Sequence, residues 1–178
     1  MFTIQPLPPG ASKAENYRQI YSELAELVNG ESNFLANAAN VASLLYHVLP
    51  DVNWVGFYWA QNEELVLGPF QGKPACARIP FGQGVCGTAA KRAQSIIVPD
   101  VNEFEGHIAC DKASRSEIAV PLLNWGKLVG VLDVDSAIPN RFDEDDSEGL
   151  EGLAAVFLSS HHGDDMPDFE ALADQPNA

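Results

Sequence analysis

Two apolar runs separated only by Trp125-Gly126 constrain this chain most: Glu117–Asn124 and Lys127–Asp135. Runs of that length and composition, joined by so short a glycine-containing link, fold back on each other as an antiparallel hairpin. Gly130 marks a strand position where another backbone must come close. The hairpin also carries charge where little is expected. Asp133 and Asp135 are two apart, so on a strand they share one face. In a run as apolar as Leu128-Val129-Gly130-Val131-Leu132, that face is core or pocket, and acids on it need a ligand, a cation or hydrogen-bond donors. Glu117 opens the partner strand and reaches the same space. The competing reading is that the strand simply emerges into solvent at Asp133.

The remaining periodicity supplies a scaffold. Residues 1–11 hold three prolines and read as a flexible arm. Ser12 is a plausible N-cap for a helix over Lys13–Val28, with Tyr17, Ile20, Tyr21, Leu24 and Leu27 at helical spacing and Gly30 beyond its end. Glu31–Leu49 repeats the signal and stops at Pro50. Val52–Trp59 and Glu64–Phe70 are strand-like and linked as a hairpin, and Ala75–Ile79 is a short third strand. Gly82–Arg92 suits a helix entered through a glycine turn, and Ser95–Val98 a fourth strand. Pro99–Ser116 is a long polar loop of the kind that carries function. After the hairpin, Pro139–Asp143 leads into a helix through Ser159, whose acidic start suits the helix dipole. Residues 163–178, rich in Asp and Pro, read as a disordered tail. These elements describe one α+β domain over 12–162: a central antiparallel sheet with helices on one face and a loop-covered pocket on the other, as in a GAF or PAS-like module.

Composition narrows the partners. Formal net charge is −15 across 178 residues, which repels nucleic acid and anionic membrane surfaces. No apolar run approaches the roughly 20 residues that span a bilayer, and the first residues lack the pattern of a signal peptide. Three cysteines are too few, and odd in number, for a secreted disulfide framework. A reducing cytoplasm is the expected compartment.

Those cysteines are the other candidates for chemistry. Free cysteine is usually a buried small hydrophobe, and for Cys86, between Val85 and Gly87, that reading weighs about as much as a functional one. Cys76 has Arg78 near it, and Cys110 lies in the long loop with His107, Lys112 and Arg115. Cationic neighbours and a loop position favour an accessible thiolate. Zinc fits the linear pattern poorly, because there is no C-x-x-C and His107 precedes Cys110 without a paired motif. Trp54 and Tyr58, four apart on one strand, form an aromatic wall. Facing the acids, that wall suits a small zwitterion whose ammonium the carboxylates hold.

The stretches Asn53-Trp54-Val55-Gly56-Phe57-Tyr58, Leu67-Gly68-Pro69-Phe70-Gln71-Gly72, Gly106-His107-Ile108-Ala109-Cys110-Asp111 and Leu132-Asp133-Val134-Asp135-Ser136 together resemble the free methionine-(R)-sulfoxide reductases, GAF-domain enzymes acting on the free amino acid. Cysteine spacings of 10 and 24 match that family's pattern, and the likeness covers all but the arm and the tail. The resemblance implies that Cys110 is the catalytic cysteine, Cys76 its resolving partner and Cys86 a second redox cysteine. It places Trp54, Tyr58, Asp100, Glu117, Asp133 and Asp135 in the substrate pocket. It further implies a thioredoxin-type reductant and no metal or organic cofactor. A homodimer is compatible with the chain, whose oligomeric state its sequence does not set.

On that reading the thiolate of Cys110 attacks the sulfoxide sulfur, and a crowded carboxyl, Glu117 or Asp135, supplies a proton to the departing oxygen. Asp133 then holds the substrate ammonium. Two other classes compete: a non-catalytic GAF small-molecule sensor, and a redox sensor without substrate. Reduction of free methionine sulfoxide separates the enzyme from both.

Overall fold

The computed structural model describes residues 2–106 and 112–161. The first helix, α1 (Lys13–Leu27), begins at a capping box in which the Ser12 hydroxyl accepts from the Glu15 amide and the Glu15 carboxylate accepts from the Ser12 amide. Two of the four orphan donors of that helix end are satisfied in this way. The second helix, α2 (Phe34–Val48), starts three residues later than its apolar periodicity suggests. The Asn33 side chain accepts from the Ala36 amide and fixes the boundary there. It ends as Leu49 turns extended, the conformation that the following Pro50 imposes. Residues 2–11 carry no helix or strand, and within them Phe2 and Leu7 pack against the core.

Six strands form a single sheet among the described residues: β1 (Trp54–Gln61), β2 (Glu64–Gln71), β3 (Arg78–Pro80), β4 (Ile96–Val98), β5 (Ser116–Asn124) and β6 (Lys127–Ser136). Their order is β3-β2-β1-β6-β5-β4, and every neighbouring pair is antiparallel. Both tight hairpin tips use left-handed backbone, at Asn62-Glu63 (φ 44 and 62) and at Trp125-Gly126 (φ 51 and 81), as the twist of two-residue hairpins requires. Gly130 behaves as its position in the sequence suggests. A Cβ there would lie 2.2 Å from the Tyr58 carbonyl oxygen on β1, so only glycine lets β6 seat beside it. The third strand is shorter than expected, and the long polar loop opens with a 3-10 turn at Val101–Glu103.

Alternation along the strands divides the side chains between two cores. Val55, Phe57 and Trp59 of β1, Ile118, Val120 and Leu122 of β5, and Leu132 and Val134 of β6 face α1, α2 and the last helix, α4 (Glu144–Ser159). Phe34 and Phe157 join that core as ring neighbours 5.0 Å apart, and truncating either to alanine removes about 3–5 kcal/mol. The opposite face gathers Trp54, Tyr58, Ala119 and Val131 against α3 (Gly84–Arg92), through its Val85, Cys86, Ala89 and Ala90. Three helices therefore cover one face as expected, while the short α3 crosses to the pocket side. No helix among the described residues is long and apolar enough to cross a membrane.

Candidate active site

The pocket face of β5 and β6 is where the acids converge. Glu117 is directly opposite Asp135 across the hairpin, and Ala119 is opposite Asp133. On the other side of β6, Asp135 faces Trp54 and Asp133 faces Gly56. Glu117, Asp133 and Asp135 are only 6%, 6% and 8% exposed, which removes the reading of a strand end emerging into solvent. The missing side chain of Gly56 makes room here, since a Cβ would meet the Trp54 ring at 2.4 Å.

The α3 helix brings Cys86 onto the same cluster. Its thiol donates to Glu117 Oε1 at 3.6 Å, and the potential ligand atoms of Cys86, Glu117 and Asp133 all lie within 4.8 Å of one another. Cys86 is thus both a buried small residue and a member of the site, so neither of its two sequence readings displaces the other. Nothing in the local pattern of Gly82-Gln83-Gly84-Val85-Cys86 announces this. It follows from α3 lying across β5 and β6.

Crowding and dryness set the protonation of the cluster. Burial, then the charges of Glu117 and Asp135, push the Asp133 carboxyl well above its ordinary value, and the hydrogen bond from Cys86 only partly opposes them. Asp133 Oδ1 is buried with no hydrogen-bond partner among the described residues. Burial and the same acids push the Cys86 thiol up and the Tyr58 hydroxyl as well. The chemistry is that of a dry, crowded pocket in which the neutral forms of Asp133, Cys86 and Tyr58 are favoured.

An aromatic wall closes one side. Trp54 stacks on Tyr58 at 5.9 Å and on Phe70 at 5.4 Å, and its indole N–H donates to the Lys73 carbonyl at 3.0 Å. That bond ties the segment after β2 over the acids, so Lys73, Pro74 and Ala75 line the pocket with Trp54, Tyr58, Asp133 and Asp135. The space left is about 10 Å³, room for roughly one water. Cys76, next to Ala75, is half-buried against the same side of the sheet and disulfide-bonded, whereas Cys86 is a free thiol. Residues 107–111, with Cys110 and His107, lie outside the described residues.

Asp100 stands apart from this convergence. Its carboxylate accepts from the Asn102 amide, capping the 3-10 turn, and from Arg115 at 2.7 Å. Arg115 first, then Asn102, hold its pKa down at about 2. Sequence reasoning found the acids and the aromatic pair but missed the Lys73–Ala75 wall and the contact of Cys86 with Glu117. The only local signal for the wall was the Gly72-Lys73-Pro74 turn.

Comparison with known proteins places this geometry. Residues 23–157 match the GAF domain family. The free methionine-R-sulfoxide reductase of Escherichia coli is 51% identical over 144 residues, covering 81% of this chain and 87% of that protein. That of Saccharomyces cerevisiae is 46% identical over 157 residues, covering 84% and 87%. The X-ray structure of the Neisseria meningitidis free methionine-R-sulfoxide reductase in complex with its substrate superposes with a TM-score of 0.85 at 41% identity, covering 90% of this chain and 95% of that one. The GAF sheet, the acid-lined pocket and these likenesses agree: this chain belongs to the free methionine-R-sulfoxide reductases of the GAF domain family.

Proposed function

We propose that this chain reduces free L-methionine-(R)-sulfoxide to methionine at the pocket between Trp54, Tyr58 and the three acids, which widens from its room for about one water to admit the substrate. The observation that carries the reading is the buried cluster of Glu117, Asp133 and Asp135 beneath an aromatic wall. Such a cluster attracts positive charge, and the substrate brings it as its ammonium. The Neisseria meningitidis free methionine-R-sulfoxide reductase, solved in complex with its substrate, supports the choice of substrate.

The thiolate of Cys110 attacks the sulfoxide sulfur. As the S–O bond breaks, the oxygen passes to Cys110 as a sulfenic acid and methionine leaves. Cys76 then condenses with the sulfenic acid, forming a disulfide and releasing water. A thioredoxin-type dithiol restores both thiols by exchange. Overall, one sulfoxide and two thiols give one thioether, one disulfide and water. The disulfide-bonded state of Cys76 beside a free Cys86 supports a resolving role for Cys76.

The electrostatics favour an exchange of two roles expected from the sequence. Burial and the neighbouring acids oppose ionisation of Asp133, which suits it to hold the proton that the sulfoxide oxygen needs. Asp135, facing Trp54, is then the better partner for the ammonium, and Glu117 sets the charge between them. Asp100, bound to Arg115, ties together the two ends of the segment that carries Cys110.

The decisive assay gives the purified chain each sulfoxide epimer with dithiothreitol or a thioredoxin system. Methionine should form from the R epimer and hardly from the S epimer. No methionine above a heat-killed control would overturn the enzyme reading and favour a small-molecule sensor.

A further inference from the structure

The position of Cys86 supports a second use of the acid cluster. We infer that Cys86, Glu117 and Asp133 form a binding site for a thiophilic divalent cation of the zinc class. The argument is geometric. Zinc holds thiolate sulfur at about 2.3 Å and carboxylate oxygen at about 2.0–2.2 Å with tetrahedral angles, which separates the sulfur from the oxygen by about 3.5 Å. The Cys86 sulfur and Glu117 Oε1 are 3.6 Å apart, and Asp133 completes a set whose ligand atoms lie within 4.8 Å of one another.

A second feature points to a missing partner independently of that spacing. Asp133 is 6% exposed, and its Oδ1 has no hydrogen-bond partner among the described residues. A buried carboxylate oxygen without a donor is costly unless something cationic meets it. One thiolate and two carboxylates with a dication give a complex that carries a single net negative charge. The linear sequence hides this set, because its members are 31 and 16 residues apart and only α3 crossing the β5–β6 hairpin brings them together.

Binding requires the Cys86 thiol, and the Asp133 carboxyl where it is protonated, to release protons to solvent as the metal bonds form. Competition between cation and methionine sulfoxide is a further consequence, and it alone rests on the proposed function.

The test uses the full chain carrying Cys76→Ser and Cys110→Ser, so that Cys86 is its one thiol. Titration with Co²⁺ should give one equivalent bound per chain and a thiolate-to-cobalt charge-transfer band, which Zn²⁺ then bleaches. Asp133→Asn and Glu117→Gln, each added separately, keep the thiol. Each should weaken binding more than about 100-fold, since even groups outside a metal's ligand set are worth about 10- to 100-fold. Circular dichroism and thermal melting verify that each variant is folded. Absence of the band, or an affinity unchanged by both carboxylate substitutions, would overturn the site. Methionine sulfoxide that fails to weaken Co²⁺ binding would overturn only the competition and leave the metal site standing.

Discussion

Glu117 and Asp135 are direct cross-strand partners on β5 and β6, and both are buried on the pocket face. Like charges placed opposite each other in a sheet repel, yet the flanking residues of the same hairpin are a well-packed apolar core. The opposite face of the same strands, packed in the apolar core, therefore fixes the two carboxyls side by side.

Kinetics should separate the three acids. Asp133→Asn should lower kcat with little change in KM, because the proton for the departing oxygen is lost. Asp135→Asn should chiefly raise KM, because one contact to the ammonium is lost. A charge-assisted contact of this kind is worth about 1.5–3 kcal/mol, or roughly 10- to 150-fold. The reverse pattern would return the proton to Asp135, and wild-type kinetics in both variants would move the pocket elsewhere.

Cysteine substitutions divide the catalytic cycle. Cys110→Ser should abolish turnover. Cys76→Ser should release about one methionine per chain and then stall as a trappable sulfenic acid, seen as a mass increase after reaction with a dimedone-type probe. Sustained turnover of Cys76→Ser with a thioredoxin system would give the resolving role to Cys86.

Stability should depend on pH through Asp133. Its carboxyl is raised in the folded state, first by burial and then by Glu117 and Asp135. Such a group contributes stability that is fully present below its unfolded value of about 3.9 and is lost as pH rises through the folded value. Relative to Asp133→Asn, the wild type should therefore lose melting temperature steadily from about pH 4 upward. Parallel melting curves across pH 4–8 would mean that Asp133 ionises without penalty.

A different buried acid, on the helical side of the molecule, is held by cations. Asp146, whose side chain is 1% exposed, accepts from Tyr17 at 2.9 Å and pairs with Lys13 and with Arg141, itself only 9% exposed. Asp146→Ala strands the Arg141 charge and should cost about 3–5 kcal/mol in denaturant unfolding. A loss under about 1 kcal/mol would show that Arg141 finds water instead.

How much of this was legible in the sequence depended on range. The Ser12–Glu15 capping box, the hairpin through Trp125-Gly126 and the shared face of Asp133 and Asp135 follow from residues a few positions apart, where spacing alone dictates geometry. The start of α2 was misplaced because Asn33 competes with the apolar period for the boundary. The position of Cys86 and the Lys73–Ala75 wall depended on contacts distant in sequence, namely α3 over β5 and β6 and the bond from Trp54 to Lys73. No local periodicity encodes those contacts.

The two hairpin faces also sort the molecule's fluorophores. Trp125 at the β5–β6 tip is 99% exposed, whereas Trp54 and Trp59 are 2% and 4% exposed. A small aqueous quencher should silence Trp125 first and leave emission from the interior. Within that remainder, Trp54 lies over the acids and Trp59 in the opposite core, so a spectral change on adding substrate reports Trp54. The arrangement that gives the pocket its wall thereby supplies an optical signal of its occupancy, without any label attached to the protein.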